Sequence, residues 1–367
     1  MQFIDRFAHR ATLVGVALIV LAAFLGCEKS DKPAGGGDSG ATTASDDGDP
    51  KVIPGGLPLG LDPYSAEVPA DNPITPEKIE LGKALYFDPR LSSDDTVSCA
   101  SCHDPEKGYS NGEAFATGVD GQVGGRAAPV ITNRLFSKTQ FWDGRSPSLE
   151  DQALGPIQNP IEMNMTLEAA VAKIEKIPGY PELFNKAFGT NEVNSERIGK
   201  AIATFERTVV SGNSKFDRFE NGDTSALNES EKRGLELFRN KAKCSVCHTG
   251  FNLTDEKYHN IGVGMDAEKP DVGRFEVTKK PEDTGAFKTP TLRDIVHSAP
   301  YFRDGSAKTL EEVVDFYDKG GIKNPHLSKN IFELKLTDQE KADLVAIMKA
   351  FTGDTRTVSK APKLPGM

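Results

Sequence analysis

The chain has 367 residues, a formal net charge of −10 and 37% apolar side chains. At roughly 100–200 residues per domain this length predicts more than one domain, and the composition excludes wholesale disorder and a polytopic membrane protein. The acidic balance excludes a broad nucleic-acid-binding surface, and five cysteines are too few for a disulfide scaffold.

Residues 1–26 read as a secretory signal. Arg6 and Arg10 form a basic start, and Ala11–Leu25 is a small and apolar run too short for a membrane span. Cys27 follows directly, as in a bacterial lipobox, where the thiol is acylated and becomes the new N-terminus. The alternatives are an uncleaved anchor or a stray thiol, and an exposed thiol is a liability in an oxidising compartment. The expected location is therefore the periplasm, with membrane attachment only through a lipid on Cys27. Residues 27–51 are rich in Gly, Ser, Thr, Asp and Pro and read as a flexible tether. The globular part is expected to start near Val52.

Thr75-Pro76 starts a helix, with a capping hydroxyl and a proline at the first helical position. That helix carries Gly82, Leu85 and Tyr86 and leads to Cys99-Ala100-Ser101-Cys102-His103. Amphipathic helices are expected over Thr166–Ile177 and Ser195–Val210. Asn228 and Glu231 have capping-box spacing. The helix they begin carries Gly234, Leu237 and Phe238 and leads to Cys244-Ser245-Val246-Cys247-His248. The two segments share one pattern about a domain length apart and read as a duplicated unit. Thr337 and Glu340 open a last helix, which Gly353 ends. Long Gly/Pro-rich stretches (104–135 and 252–300) hold few strand-like runs. The predicted fold is mostly α, with two cytochrome c-like domains at 52–222 and 223–352, long loops, and a tail at 353–367.

The motif CxxCH is the attachment signature of c-type haem: two thioethers fix the macrocycle and the following histidine ligates the iron. A zinc site built from four cysteines would not need both histidines, and two CxxC disulfides with incidental histidines are the remaining alternative. Two covalently bound haems c are expected, on Cys99, Cys102 and His103 and on Cys244, Cys247 and His248. The sixth ligand then decides between electron transfer and binding of oxygen or peroxide. No histidine or methionine lies between His103 and Glu162, so the first haem is expected to be open. Candidate ligands elsewhere are His259, His297, His326, Met265 and tyrosines.

Beyond these motifs, residues from about 70 to 352 resemble the bacterial di-haem cytochrome c peroxidases and their MauG-like relatives. The resemblance rests on Leu85-Tyr86-Phe87-Asp88, Phe141-Trp142-Asp143-Gly144-Arg145, Gln152-Ala153, Gly155-Pro156-Ile157, Asn159-Pro160 and Glu162-Met163. It continues through Tyr258-His259-Asn260-Ile261-Gly262, Phe287–Arg293, Ala299–Phe302, Asp304-Gly305-Ser306 and Phe316-Tyr317. It implies that Trp142 lies between the haems, that Gln152, Pro156 and Glu162 lie over the open first haem, and that His259 is near the second haem. Glu162 is the expected acid–base group, its pKa raised by burial. The resemblance implies Tyr317 as sixth ligand of the second haem, with Met265 as rival. Calcium between the domains is left open, because Ala127 and Ala128 stand where relatives carry an asparagine. No role is expected for Arg303, and His297 and His326 read as packing or surface residues.

The activity the resemblance implies is reduction of hydrogen peroxide to water. Electrons would come from a small soluble cytochrome c or a cupredoxin and arrive at the C-terminal haem. The alternatives are a MauG-like oxidase acting on residues of a partner protein and a pure electron-transfer relay. A homodimer is left open.

Overall fold

A computed structural model describes residues 51–367; the expected signal, Cys27 and nearly all of the tether lie outside the described residues. Eleven α-helices occur among the described residues: α1 (Pro76–Phe87), α2 (Cys99–Cys102), α3 (Leu149–Gln158), α4 (Leu167–Glu175), α5 (Tyr180–Phe188), α6 (Ser195–Arg207), α7 (Lys215–Glu220), α8 (Glu229–Arg239), α9 (Phe275–Thr278), α10 (Leu310–Asp318) and α11 (Asp338–Ala350). The strands are short. β1 (Ser211–Ser214) pairs antiparallel with β4 (Gly353–Arg356), and β2 (Tyr258–His259) pairs antiparallel with β3 (Phe287–Lys288). The mostly helical, loop-rich character expected from the sequence is present.

Local chemistry sets the helix starts. The Thr75 hydroxyl accepts from the Lys78 amide, with Pro76 in the first turn. Asn228 with Glu231, and Thr337 with Glu340, form reciprocal capping boxes. Helix α3 was not legible as a helix, because Pro156 lies inside it and a helix-interior proline removes one backbone bond. Its Ser148 cap, which accepts from the Asp151 amide, and its packing on α6 hold it in place.

The two largest apolar clusters lie one in each half of the chain. Leu81, Leu85, Ile157, Ile174, Phe184 and Ile202 anchor the first, and Leu235, Phe238, Leu310, Leu344, Ile347 and Phe351 the second. Fully burying each such side chain contributes roughly 1.5–3 kcal/mol. The described residues pack as one unit, so the halves are pressed together. The buried pair Arg293–Asp217 helps: the guanidinium donates to both carboxylate oxygens (2.8 and 2.7 Å) and to the Phe251 carbonyl.

In each half the helix before the CxxCH crosses a later helix at a glycine. A Cβ on Gly82 of α1 would overlap the Ala201 carbonyl oxygen of α6, and one on Gly234 of α8 would overlap the Asp343 carbonyl oxygen of α11. The shared Gly-x-x-Leu-aromatic pattern thus has one physical cause, close helix contact, met twice.

The tail does not hang free. After β4 pairs with β1, the Thr357 amide donates to the Val210 carbonyl (2.9 Å) and the Ser359 amide to the Tyr109 hydroxyl (3.2 Å). Arg90 Nη2 donates to the Pro365 carbonyl (2.8 Å). The last residues therefore strap back over the N-terminal half.

Candidate functional site: a cavity shared by two CxxCH motifs

Both motifs open into one cavity of about 820 Å³. Cys102 and His103 line it from the first half, and Cys244, Cys247 and His248 from the second. The four cysteines at 99, 102, 244 and 247 carry free thiols, as thioether attachment of a haem requires.

The two histidines are held alike. His103 N–H donates to the Cys99 carbonyl and His248 N–H to the Cys244 carbonyl, both at 2.9 Å. Nδ1 of His103 donates to the Tyr109 carbonyl (3.3 Å) and Nδ1 of His248 to the Leu253 carbonyl (3.1 Å). Each ring therefore keeps Nε2 as a free lone pair, the arrangement a metal-ligating imidazole needs. Burial pushes both imidazoles down to about 4, so they are neutral.

The similarity runs further, at constant spacing. Pro129 matches Pro290, Asn133 matches Asp294, and the Phe141-Trp142-Asp143-Gly144 turn matches Phe302-Arg303-Asp304-Gly305. The backbone agrees: Asn133 and Asp294 have φ of 61° and 59°, and Phe141 and Phe302 both have 66°. Each turn then feeds a helix, capped by Ser148 for α3 and by Thr309 for α10. At the same spacing Gln152 matches Val313 and Pro156 matches Tyr317, and all four line the cavity. The first site thus faces a proline where the second faces a phenol.

Around the first motif the cavity is lined by Gln152, Pro156, Glu162 and Glu206. Burial raises the Glu162 pKa, against an opposing hydrogen bond from Asn159 and the charge of Arg145. Asn159 Nδ2 donates to Glu162 Oε1 at 2.7 Å. Glu206 is only 3% exposed, and its Oε2 has no hydrogen-bond partner. Burial pushes it up to about 8.

Around the second motif the lining includes Val313, Val314, Tyr317, Leu344 and Met348. Burial, reinforced by the nearby Cys244 and Cys247 sulfurs, holds the Tyr317 hydroxyl well above the ordinary phenol range. Met265 does not line the cavity; its sulfur lies against Gly285. His259 does line it, with Nε2 2.9 Å from Asp255 Oδ2. The Cys247 sulfur and the Asp255 carboxylate push His259 up to about 9. Cys247, Asp255 and His259 place donor atoms within 4.8 Å of one another, but a haem thioether would use the Cys247 sulfur. His326 is exposed, and His297 packs on Gly108.

Trp142 lines the cavity where the halves meet. Its Nε1 donates to the Ala127 carbonyl (2.8 Å), and its carbonyl accepts from the Lys288 amide (2.8 Å). The Ala127 amide donates to the Arg303 carbonyl (2.6 Å). Ala127 thus bridges the Trp142 turn and its counterpart in the second half. Arg126 beside it donates to Asp143 (2.6 Å) and, through two nitrogens, to Asp271 (2.7 and 2.9 Å).

The family described as "Di-haem cytochrome c peroxidase" matches residues 76–225. The chain is 41% identical over 330 residues to methylamine utilization protein MauG of Methylorubrum extorquens, covering 89% of this chain and 92% of that one. It is 40% identical over 297 residues to cytochrome c551 peroxidase of Nitrosomonas europaea, covering 80% and 85%. The chain belongs to the di-haem cytochrome c peroxidase and MauG family. A crystal structure of a MauG-like protein associated with microbial copper homeostasis superposes with a TM-score of 0.73 at 34% identity, covering 83% of this chain and 95% of that one.

Membership in this family implies two c-type haems, and the residues present fit them. Beyond the thiols and neutral imidazoles, the cavity holds Arg126, Arg134, Arg145, Arg303 and Lys288, cations suited to the carboxylates that haem carries. Sequence reasoning missed Glu206, Lys288 and Arg303. Glu206 continues the Ile198, Ile202 stripe at four-residue spacing, which was a signal of burial. Arg303 occupies the Trp142 position of the second repeat. Its guanidinium stacks on Phe287 at 4.0 Å, a contact no local pattern announces.

Proposed function

We propose that the chain is a periplasmic di-haem peroxidase that reduces hydrogen peroxide to water with electrons from a small cytochrome c or a cupredoxin. The observation that carries this reading is the asymmetry of the cavity: Glu162 and Gln152 face the first motif beside Pro156, and Tyr317 faces the second. Haem c, held by Cys99, Cys102 and His103 and by Cys244, Cys247 and His248, would supply an iron open to peroxide at the first site and an electron carrier at the second.

The chain's own residues supply the rest. Asn159 fixes Glu162 Oε1, which leaves Oε2 to take the proton from one peroxide oxygen and return it to the leaving one. Burial keeps that carboxyl closer to neutral pH than an exposed one, as a group that must both accept and donate requires. The Gln152 amide orients the peroxide. Each turnover takes two electrons and two protons per peroxide and yields two waters. Tyr317, which lines the cavity where Met265 does not, would hold the second haem, and Trp142 would bridge the sites. His259 and Asp255 stay beside the second site. The halves 52–222 and 223–352 are the two haem domains, and Cys27 carries the lipid.

The second reading, a MauG-like oxidase of residues on a partner protein, is favoured by Tyr317 and by the 41% identity to a MauG protein. One experiment separates these readings and a plain electron relay: the spectrum of the oxidised, haem-loaded protein, followed by peroxide turnover with a reduced small cytochrome c or cupredoxin. One high-spin and one low-spin haem with rapid turnover and no reductive activation lag support the peroxidase. The same spectrum with negligible turnover supports the oxidase, and two low-spin haems support a relay.

A further inference from the structure

The second motif reaches the surface differently from the first. Between its cysteines stands Val246, 48% exposed; nearby is Phe332, 40% exposed. Lys243 Nζ lies 5.9 Å from the centroid of the Phe332 ring, and the Asn330 amide lies 3.9 Å from Cys247 Sγ. The attachment edge of the second site therefore carries two exposed apolar side chains, Val246 between the cysteines and Phe332 under Lys243.

Its rim is basic. Lys243, Lys329 and Lys335 are exposed, and none of the three has a carboxylate within ion-pair distance among the described residues. Lys241, tied to the same edge through the Lys335 carbonyl (3.3 Å), is neutralised by Glu340 at 2.7 Å. Glu333, beside Phe332, is drawn by Lys323 at 3.9 Å. The edge is thus positive on a chain whose formal charge is −10. Charges separated by more than a Debye length, about 8 Å at physiological salt, are screened, so a docking partner feels the local lysines rather than the net charge. An apolar centre with a charged rim is the usual build of a transient protein interface.

We infer that this lysine-ringed edge is the docking face for an acidic redox protein, one that presents carboxylates around its own electron-transfer edge. The inference rests on the proposed arrival of electrons at the second site and adds the charge class of the donor. The donor gives up one electron and is oxidised; the second site is reduced by one. Lys243, Lys329 and Lys335 supply steering, which raises association by about 10–10³-fold at low salt, and Val246 with Phe332 supplies the contact.

The test uses full-length, haem-loaded protein and a plastocyanin as a small acidic copper protein. Binding is followed first with zinc-substituted plastocyanin, which cannot transfer electrons, by NMR titration at several salt concentrations. Wild type should bind, and binding should weaken as salt rises. The triple variant Lys243→Glu, Lys329→Glu, Lys335→Glu should lose at least about tenfold in affinity at low salt. Phe332→Ser should weaken binding with the salt dependence kept. Stopped-flow reduction by native plastocyanin should fall in parallel in the triple variant, while reduction by ascorbate should not change. A basic mitochondrial-type cytochrome c should show the reverse, gaining in the triple variant.

Unchanged plastocyanin affinity in the triple variant, or faster reduction of wild type by the basic cytochrome at low salt, overturns the inference. So does binding of anionic phosphatidylglycerol vesicles that the triple variant loses while plastocyanin binding persists. Failure of the peroxidase reading looks different: plastocyanin binds and reduces the protein, but peroxide is not consumed.

Discussion

The two CxxCH sites hold their histidines in nearly the same way, and matched helices present different side chains over them. Both imidazoles are neutral, each tied by Nδ1 to a carbonyl a few residues on. The first is faced by Gln152, Pro156 and Glu162, with Glu206 lining the same cavity near Cys99. The second is roofed by Val313 and Tyr317 among apolar neighbours. The two motifs are alike, and the helix facing each, α3 or α10, sets which side chains line the cavity there.

Four sets of substitutions would break or sharpen this contrast. The largest effect is expected for Glu162→Gln, which keeps volume and removes the titrating oxygen. Peroxide turnover should fall by about 10²–10⁴-fold, with the haem spectrum and reduction by donor unchanged. A loss of only about twofold would make Glu162 an ordinary half-buried carboxylate.

Next come the matched residues Pro156 and Tyr317. Tyr317→Phe should alter only the low-spin component of the oxidised spectrum, and Met265→Leu should alter nothing. Pro156→Tyr should place a phenol over the first site and convert its high-spin signal toward the second site's. If Met265→Leu changes the low-spin signal and Tyr317→Phe does not, the equivalence of α3 and α10 does not extend to ligation.

The glycine crossings test whether the repeat is a packing device. Gly82→Ala and Gly234→Ala each force two helices apart, and overpacking costs roughly 1–3 kcal/mol. Both variants should unfold at lower denaturant than wild type, and similar losses are expected because both Cβ atoms would meet a backbone carbonyl. A neutral result at either position would show that its helix pair can shift.

The last test is a pH dependence. Glu206 is raised by burial to about 8 from an ordinary 4.5, so the folded protein holds a proton that the unfolded chain releases. Its contribution is unchanging below pH 4.5, and stability is lost as pH rises from there toward 8, by at most about 1.4 kcal/mol per pH unit. Glu206→Gln should flatten the denaturation midpoint between pH 5 and pH 8. A midpoint that falls equally in both proteins would assign the pH dependence elsewhere.

Much of the site was legible because its signals are local. CxxCH is contiguous chemistry, the helix caps are three-residue bonds, and the Trp142, Gln152 and Glu162 motifs stand at recognisable spacing. The repeat, too, could be found from Gly82 and Gly234, because a residue that must lack a Cβ leaves a mark in any sequence. Helix α3 was missed as an element because Pro156 speaks against a helix locally, and packing on α6 outweighs it.

Tertiary structure alone decided which groups share the cavity. Nothing in the sequence says that Glu206 on α6 would be left without a partner for Oε2, or that Met265 would turn to Gly285 while Tyr317 faces the cavity. Nor does it say that the tail would cross back to Tyr109 and Arg90. These outcomes depend on long-range burial: a carboxylate's pKa and a side chain's direction follow from what distant segments exclude water around them. The sequence by itself determined the attachment chemistry, the helix starts and the duplication, since bonds between near neighbours specify those; which side chains come together in the cavity was decided by how distant segments pack.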